Sequence, residues 1–365
     1  MMRIKDVLLK LEQWAPIAHQ ESYDNSGLLT GDTEAVCSGV LVALDCTEAV
    51  LMEALAKGCN LIVAHHPIVF GAMKKFTGAD YVSRVIRMAI KKDLAIYAIH
   101  TNLDNVHSGV NARMAQALQM RQYRILRPQK GRLRKLVTFV PDSHQQEVLA
   151  ALFEAGAGQI GAYSECSFSF RGTGTFKGGG NTQPFVGQAG VRHHEEEVCI
   201  QVIVPDYLTT KVTVALEQAH PYEEVAFDWF VLENDWAQIG SGMVGELPEP
   251  MSAQDFMGMV KREFKASVIR HTNICRDKIQ RVAVCGGSGF FLLQDAIRAK
   301  ADVFITSDIK YHQFFDADNQ LIVMDIGHFE SEQFTIDLIG GYLKENLPTF
   351  AILLSETNTN PVNYF

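Results

Sequence analysis

Leu61-Ile62-Val63-Ala64-His65-His66-Pro67-Ile68-Val69-Phe70 decides the fold. Four aliphatic residues without polar alternation read as a strand buried on both faces, the pattern of a parallel sheet covered by helices. Pro67 ends regular pairing, so two consecutive histidines arrive where the strand stops and the backbone turns. Inside a strand they would point to opposite faces; at its end both can reach one site. Imidazole is the commonest metal ligand, and α/β sheets bind ligands at the carboxyl ends of their strands. For these two residues alone, a pair of half-exposed loop histidines is the alternative.

The same design repeats on either side. Upstream, residues 39–45 (GVLVALD) form an apolar run ending in Asp45, a helical pattern covers 49–57, and Gly58 closes it, so the unit is βαβ. Downstream, a helix over 80–92 leads to an apolar run from Leu94 that ends in His100, Thr101, Asn102 and Asp104. An amphipathic helix over 4–14 and the turn-forming Tyr23-Asp24-Asn25-Ser26-Gly27 precede all of these. Much later the pattern resumes. Residues 281–285 run into Gly286-Gly287-Ser288-Gly289, which reads as a tight turn or an anion-binding turn without the Lys-Ser/Thr of a P-loop. Residues 301–308 end in Asp308, close to His312, and 321–328 end in Asp325 and His328. His328 and Glu332 are four residues apart on the helix that follows, and so share a face.

Between these halves the character changes. The basic run 121–134 reads as a solvated linker, and beyond it strands near 136–141, 167–170, 197–205 and 225–232 alternate with helices over 143–155 and 207–219. Ser143 and Glu147 suit a capping box for the first of these helices, and the glycine-rich 172–190 reads as a surface hairpin. The order βαββαβ is the split, ferredoxin-like arrangement. The fold class is therefore α/β, a core with a central sheet flanked by helices, built from 1–127 and 235–365 and interrupted by an inserted ferredoxin-like α+β domain at 128–234.

The chain has 365 residues, 47% hydrophobic and 21% charged, which suits a soluble two-domain protein. A net charge of -9 argues against a broad nucleic-acid-binding face. Seven scattered cysteines without a Cys-x-x-Cys pair read as reduced thiols. With no signal core and no run near the ~20 apolar residues of a membrane span, a cytoplasmic location and no membrane partner are expected.

Collecting the strand-end groups gives His65, His66, Asp104, His328 and Glu332. Three imidazoles and two carboxylates suffice for two divalent first-row ions, and the absence of thiolate points to catalytic Zn, Fe, Mn or Co rather than structural zinc. Two such ions ~3.5–4 Å apart would activate water and clamp the attacking and leaving oxygens, so the reaction class is hydrolysis. Asp45, His100 and His312 are candidate proton shuttles by proximity. Orienting a metal-bound histidine or capping a helix is the alternative for each.

Tyr23-Asp24-Asn25-Ser26-Gly27-Leu28, 61–70, His100-Thr101-Asn102-Leu103-Asp104 and Asp325-Ile326-Gly327-His328-Phe329-Glu330-Ser331-Glu332 together resemble the NIF-three-like (Ngg-one interacting factor three) family, also labelled GTP cyclohydrolase I type 2 homologue. Tyr23 and Phe329 stand where that family commonly has Trp and Tyr. His220-Pro221-Tyr222-Glu223-Glu224-Val225-Ala226-Phe227-Asp228 resembles the extra domain of long bacterial members, which is similar to P-II and CutA proteins. The resemblance implies that His65, His66, Asp104, His328 and Glu332 ligate two metals. It also implies a toroidal homohexamer whose inserts cap an enclosed cavity, and a small-molecule substrate, a nucleotide or phosphoester, for a metal-dependent hydrolase. A regulatory or scaffold hexamer with structural metal, whose insert binds a small ligand or partner, and a metal store or chaperone are the other readings.

Overall fold

A computed structural model describes residues 1–365. The chain divides into two compact units, one made of 1–128 with 238–365 and the other of 129–237.

The first unit is α/β, but its strands divide between two sheets instead of forming one central sheet. In the five-stranded sheet, Leu61–Ala64 lies between Ala95–Ala98 and Val40–Ala43, parallel to both. Ile352–Leu354 adds a parallel edge beside Val40–Ala43, and Gly27–Thr30 an antiparallel one beside Ala95–Ala98. Every residue of the three inner strands is buried, as their unbroken aliphatic runs require. Helix Glu48–Ala56 starts at an N-cap Thr47, whose side chain accepts from Val50 N–H, and helix Tyr81–Lys91 starts at Asp80, which accepts from Ser83 N–H. Both pack into the core that covers this sheet.

The second sheet has six strands in the order Arg270–His271, Ile322–Asp325, Val303–Thr306, Lys278–Val284, Trp236–Ser252, Arg121–Gln129. Its three central strands are parallel. Most of the basic run expected to be a linker, Arg121–Gln129, is thus an edge strand, while its end enters the strand Leu133–Pro141 of the other unit. The edge strand's arginines are charges on a sheet margin, where they discourage edge-to-edge pairing, while Ile125 and Leu126 are buried. Trp236–Ser252 spans 17 residues although it contains three glycines and two prolines. Gly240 allows a close approach there: a Cβ at this position would sit 2.1 Å from the Arg127 carbonyl oxygen, so the two strands meet without room for a side chain.

The unit 129–237 is a four-stranded antiparallel sheet in the order Ser167–Lys177, Arg192–Pro205, Leu133–Pro141, Phe227–Leu232, with helices Gln145–Glu154 and Thr209–Ala219. Chain order βαββαβ with the first and third strands central is the ferredoxin-like topology. The expected capping box fails. Residues Asp142–His144 form a 3-10 turn, the helix starts only at Gln145, and no side chain caps it. No helix in the chain is long and apolar enough to cross a membrane.

Candidate metal centre

The site lies at the carboxyl ends of the parallel strands in the first unit. Backbone pairing carries past Ala64, with His65 N–H donating to Ala43 O and His66 N–H to Leu44 O, so both histidines are held by the sheet while their side chains leave it. Asp104 comes from the short helix Thr101–Asn105 after Ala95–Ala98, and His328 and Glu332 from the helix His328–Glu332 after Ile322–Asp325.

Each of the three histidines is fixed through its Nδ1. His65 Nδ1 lies 2.9 Å from the Ile99 carbonyl oxygen, His66 Nδ1 2.7 Å from Asp45 Oδ1, and His328 Nδ1 2.6 Å from Asp308 Oδ2. Donation from Nδ1 leaves Nε2 free to ligate in all three, the arrangement by which metal-binding imidazoles are held in one tautomer. The three Nε2 atoms converge on Glu332. Its Oε2 is 2.9 Å from His66 Nε2 and 3.0 Å from His328 Nε2, and its Oε1 faces the other way, 3.9 Å from His65 Nε2. Asp104 Oδ1 completes that second side, 3.7 Å from His65 Nε2.

Two of these atoms have no hydrogen-bond partner. His65 Nε2 and Asp104 Oδ1 are buried and unsatisfied, and leaving such groups unpaired costs ~1–3 kcal/mol each. Two unpartnered ligand atoms 3.7 Å apart, His65 Nε2 lying 3.9 Å from Glu332 Oε1, fit a divalent cation, and clustered His and Glu side chains here could hold metal ions. The electrostatics agree. Burial holds the His65 imidazole down to about 3, so it stays neutral and able to ligate, whereas burial together with the Glu332 charge raises Asp104 well above the usual carboxylate range. Burial would lower His66 and His328 too, but hydrogen bonds to Asp45 and Glu332 lift the first to about 9, and Asp308 and Glu332 lift the second to about 11.

The glycine turn after Lys278–Val284 seats Glu332. Gly287 has φ +60°, and a Cβ there would lie 2.3 Å from Glu332 Oε1. Three of the turn's four N–H groups are spent inside the protein: Gly286 donates to Asn111 Oδ1, Gly287 to Ser331 Oγ and Gly289 to Thr306 Oγ1. Three of four backbone donors closed to an anion favour the tight turn over a phosphate cradle.

His100, Asp45 and His312 fare differently. His100 joins the cluster: its ligating nitrogen falls within 4.8 Å of those of His65 and His66, and its Nδ1 lies 2.8 Å from Asp24 Oδ1. Asp24 also accepts from Thr101 N–H and Thr101 Oγ1, and although burial opposes it, the His100 and Thr101 contacts hold this carboxyl well below its usual range. Asp45 orients His66. His312 stands exposed on the 3-10 segment Tyr311–Ala317, its ring against Tyr311 and outside the cavity lining, and Asp308 occupies the place beside His328. Asp325 accepts from Ile309 N–H and pairs with Arg270, which makes it structural. Asp24, Asp308 and Thr359, which donates to Asp45 Oδ2, are partners of the cluster that no spacing in the sequence ties to the histidines.

The cluster floors a cavity of about 1010 Å³ whose wall includes Tyr23, Phe70, Phe291, Phe329 and Tyr364. Arg270 is the only Lys or Arg in that lining.

Fold and site define an α/β protein with a buried histidine–carboxylate centre of the type that holds divalent cations. The family model for Duf34/NIF3 (NGG1p interacting factor 3) matches residues 2–361, and the chain belongs to that family. It is 38% identical over 363 residues to a GTP cyclohydrolase 1 type 2 homolog of Halalkalibacterium halodurans, covering 98% of each chain. With the Bacillus subtilis protein of the same description the identity is 36% over 366 residues, 99% of this chain and 98% of that one. Among solved structures, a Bacillus cereus protein related to NIF3 superposes with a TM-score of 0.87 at 36% identity, covering 100% of this chain and 99% of that one. A Staphylococcus aureus protein superposes at 0.79 with 29% identity and the same coverage.

Proposed function

We propose that the chain is a dinuclear divalent-metal hydrolase acting on a small molecule, a nucleotide or phosphoester as its relatives' description as GTP cyclohydrolase 1 type 2 homologues suggests. One observation carries the dinuclear reading: the two oxygens of Glu332 face different partners, Oε2 toward His66 and His328 and Oε1 toward His65, which is joined by Asp104. His66 and His328 would hold one ion, His65 and Asp104 the other, with Glu332 between them. Zn, Fe, Mn and Co all suit this N/O donor set. Bound ions would supply Lewis acidity and a lowered pKa for water.

The chain's own groups do the rest. Asp45, Asp308 and the Ile99 carbonyl keep three imidazoles in the ligating tautomer. His100, braced by Asp24, faces His65 and His66 and is placed to exchange a proton with the reacting group. The aromatic wall limits water and offers flat surfaces to a heterocycle. An anionic substrate would meet the metals and Arg270, not the glycine turn.

The test is metal analysis by mass spectrometry on protein purified without added metal, with a hydrolysis screen on GTP, other nucleotides and simple phosphoesters. About two ions per chain, with turnover that chelation stops and that His65→Ala with Glu332→Ala abolishes, is the expected result; turnover retained in that variant would sink the hydrolase.

A second reading, a regulatory assembly, rests on the unit 129–237, which we infer to be a module of the P-II/CutA type from its topology. The sheet face away from its helices carries Phe139, Phe168, Phe170 and Phe230, all exposed. An apolar sheet face of this kind suits packing against further copies of the chain, and supports a homo-oligomer, the toroidal hexamer being the form proposed. Seven free cysteines suit a cytoplasmic location.

A further inference from the structure

We propose that residues 355–364 form a strap that completes the metal centre, with Thr359 as the positioning residue for His66. The inference rests on the metal-binding reading above and adds to it the part of the chain that fixes one ligand.

The strap begins where Ile352–Leu354 leaves the five-stranded sheet, with Ser355 N–H donating to Val42 O at 2.8 Å. It is then gripped by one side chain. Glu53, on helix Glu48–Ala56, accepts from Ser355 Oγ at 2.6 Å, from Glu356 N–H at 2.8 Å and from Thr357 Oγ1 at 2.6 Å. Lys57, one turn on, pairs with Glu53 at 2.8 Å. Both carboxylate oxygens are thus occupied by the strap, and the Glu53 side chain is only 12% exposed. Two local bonds shape the next turn of the chain, Asn360 N–H to Asn358 Oδ1 and Val362 N–H to Asn360 Oδ1, each 3.0 Å.

This path delivers the Thr359 hydroxyl to Asp45 Oδ2, while Asp45 Oδ1 accepts from His66 Nδ1 at 2.7 Å. The division matters. A carboxylate bonded through one oxygen can swing about its side-chain torsion, and a histidine hanging from it swings too. With the second oxygen tied to Thr359, Asp45 has one orientation, and His66 presents Nε2 to Glu332 in one direction only. Beyond Thr359 the strap turns along the cavity, where Asn360, Pro361, Val362 and Tyr364 form part of the wall. The other histidines do not depend on it, since His65 is held by the Ile99 carbonyl and His328 by Asp308. The strap therefore sets one ligand of one ion.

The experiment titrates Mn2+, and separately Zn2+ against a competing chelator, into metal-stripped full-length protein by calorimetry, comparing wild type with Thr359→Val, Thr359→Ser and Glu53→Gln. Deuterium uptake over 355–364 is followed in parallel. Wild type should bind two ions. Thr359→Val should weaken one of them by roughly 10–100-fold, the size found for lost partners of metal-bound histidines, and leave the other within about twofold. Ser, which keeps the hydroxyl, should restore it. Glu53→Gln should weaken the same ion and speed exchange over the strap. Two unchanged affinities in Thr359→Val, or an equal loss at both that Ser does not restore, would overturn the strap while leaving the metal centre standing. Failure of wild type to bind any ion would instead overturn the reading on which the strap rests.

Discussion

Glu332 faces three imidazoles with one carboxylate, and its two oxygens give the substitutions around it different consequences. Glu332→Ala should take metal content from about two ions per chain to about none, whereas His328→Ala and His65→Ala should each leave about one, read by mass spectrometry after dialysis against a weak chelator. Equal losses in all three would contradict a carboxylate shared between two positions. Asp308→Asn should keep the fold and weaken the ion beside His328 by about 10–100-fold, since Asp308 is the partner that fixes its Nδ1. The five clustered donors were legible in the sequence because each sits where an aliphatic run stops or one helical turn later, which local pattern encodes. Their partners were not. Asp308 reaches His328 across 20 residues, Asp24 reaches His100 across 76, and Thr359 reaches Asp45 across 314, so only the folded register pairs them. His312 shows the converse failure. Closeness in sequence to Asp308 suggested the site, but the intervening 3-10 segment turns the ring outward.

Two elements carry predictions of their own. The turn at Gly287 combines a left-handed backbone with too little room for a methyl group, whose carbon would come within 2.3 Å of Glu332 Oε1. Gly287→Ala should therefore destabilise the protein by about 1–3 kcal/mol, read from the urea midpoint, and lower metal binding most on the His65 and Asp104 side, which Oε1 faces. Helix Glu48–Ala56 carries Glu53, which burial alone would raise; Lys57 and the strap hydroxyls outweigh that and hold it at about 2 against an ordinary 4.5. A depressed carboxylate contributes stability that is present above its unfolded value and lost as pH falls through the folded one. Deuterium uptake over 355–357 should rise between about pH 4.5 and 2 relative to the rest of the sheet, and Glu53→Gln should remove that pH dependence. Elements with buried, unbroken aliphatic runs were readable from sequence. Arg121–Gln129 was not, because a sheet edge uses charge for the same reason a linker does, and Trp236–Ser252 was hidden by glycines and prolines that mark turns elsewhere.

At the scale of the whole chain, His65, His66 and Asp104 precede the unit 129–237 and His328 and Glu332 follow it, so the centre forms only when the two halves of the first unit meet. Asn111 is one of the ties between them: its side chain donates to Asp104 O and accepts from Gly286 N–H. The unit 129–237 leaves and re-enters through neighbouring strands of the six-stranded sheet, Arg121–Gln129 and Trp236–Ser252, with Gly240 packed against Arg127 and Pro128. Adjacent strand ends lie about 5 Å apart, a gap that a two-residue turn can close. Replacing 129–237 by Asn-Gly should consequently preserve two ions per chain and the cooperative unfolding of the α/β unit, while removing the exposed Phe168 and Phe170 with the rest of their sheet. If that sheet face holds copies of the chain together, the mass in solution measured by light scattering should fall in the same variant. Loss of metal from a folded deletion protein would mean that the centre needs the inserted unit, against the placement of all five clustered side chains outside it.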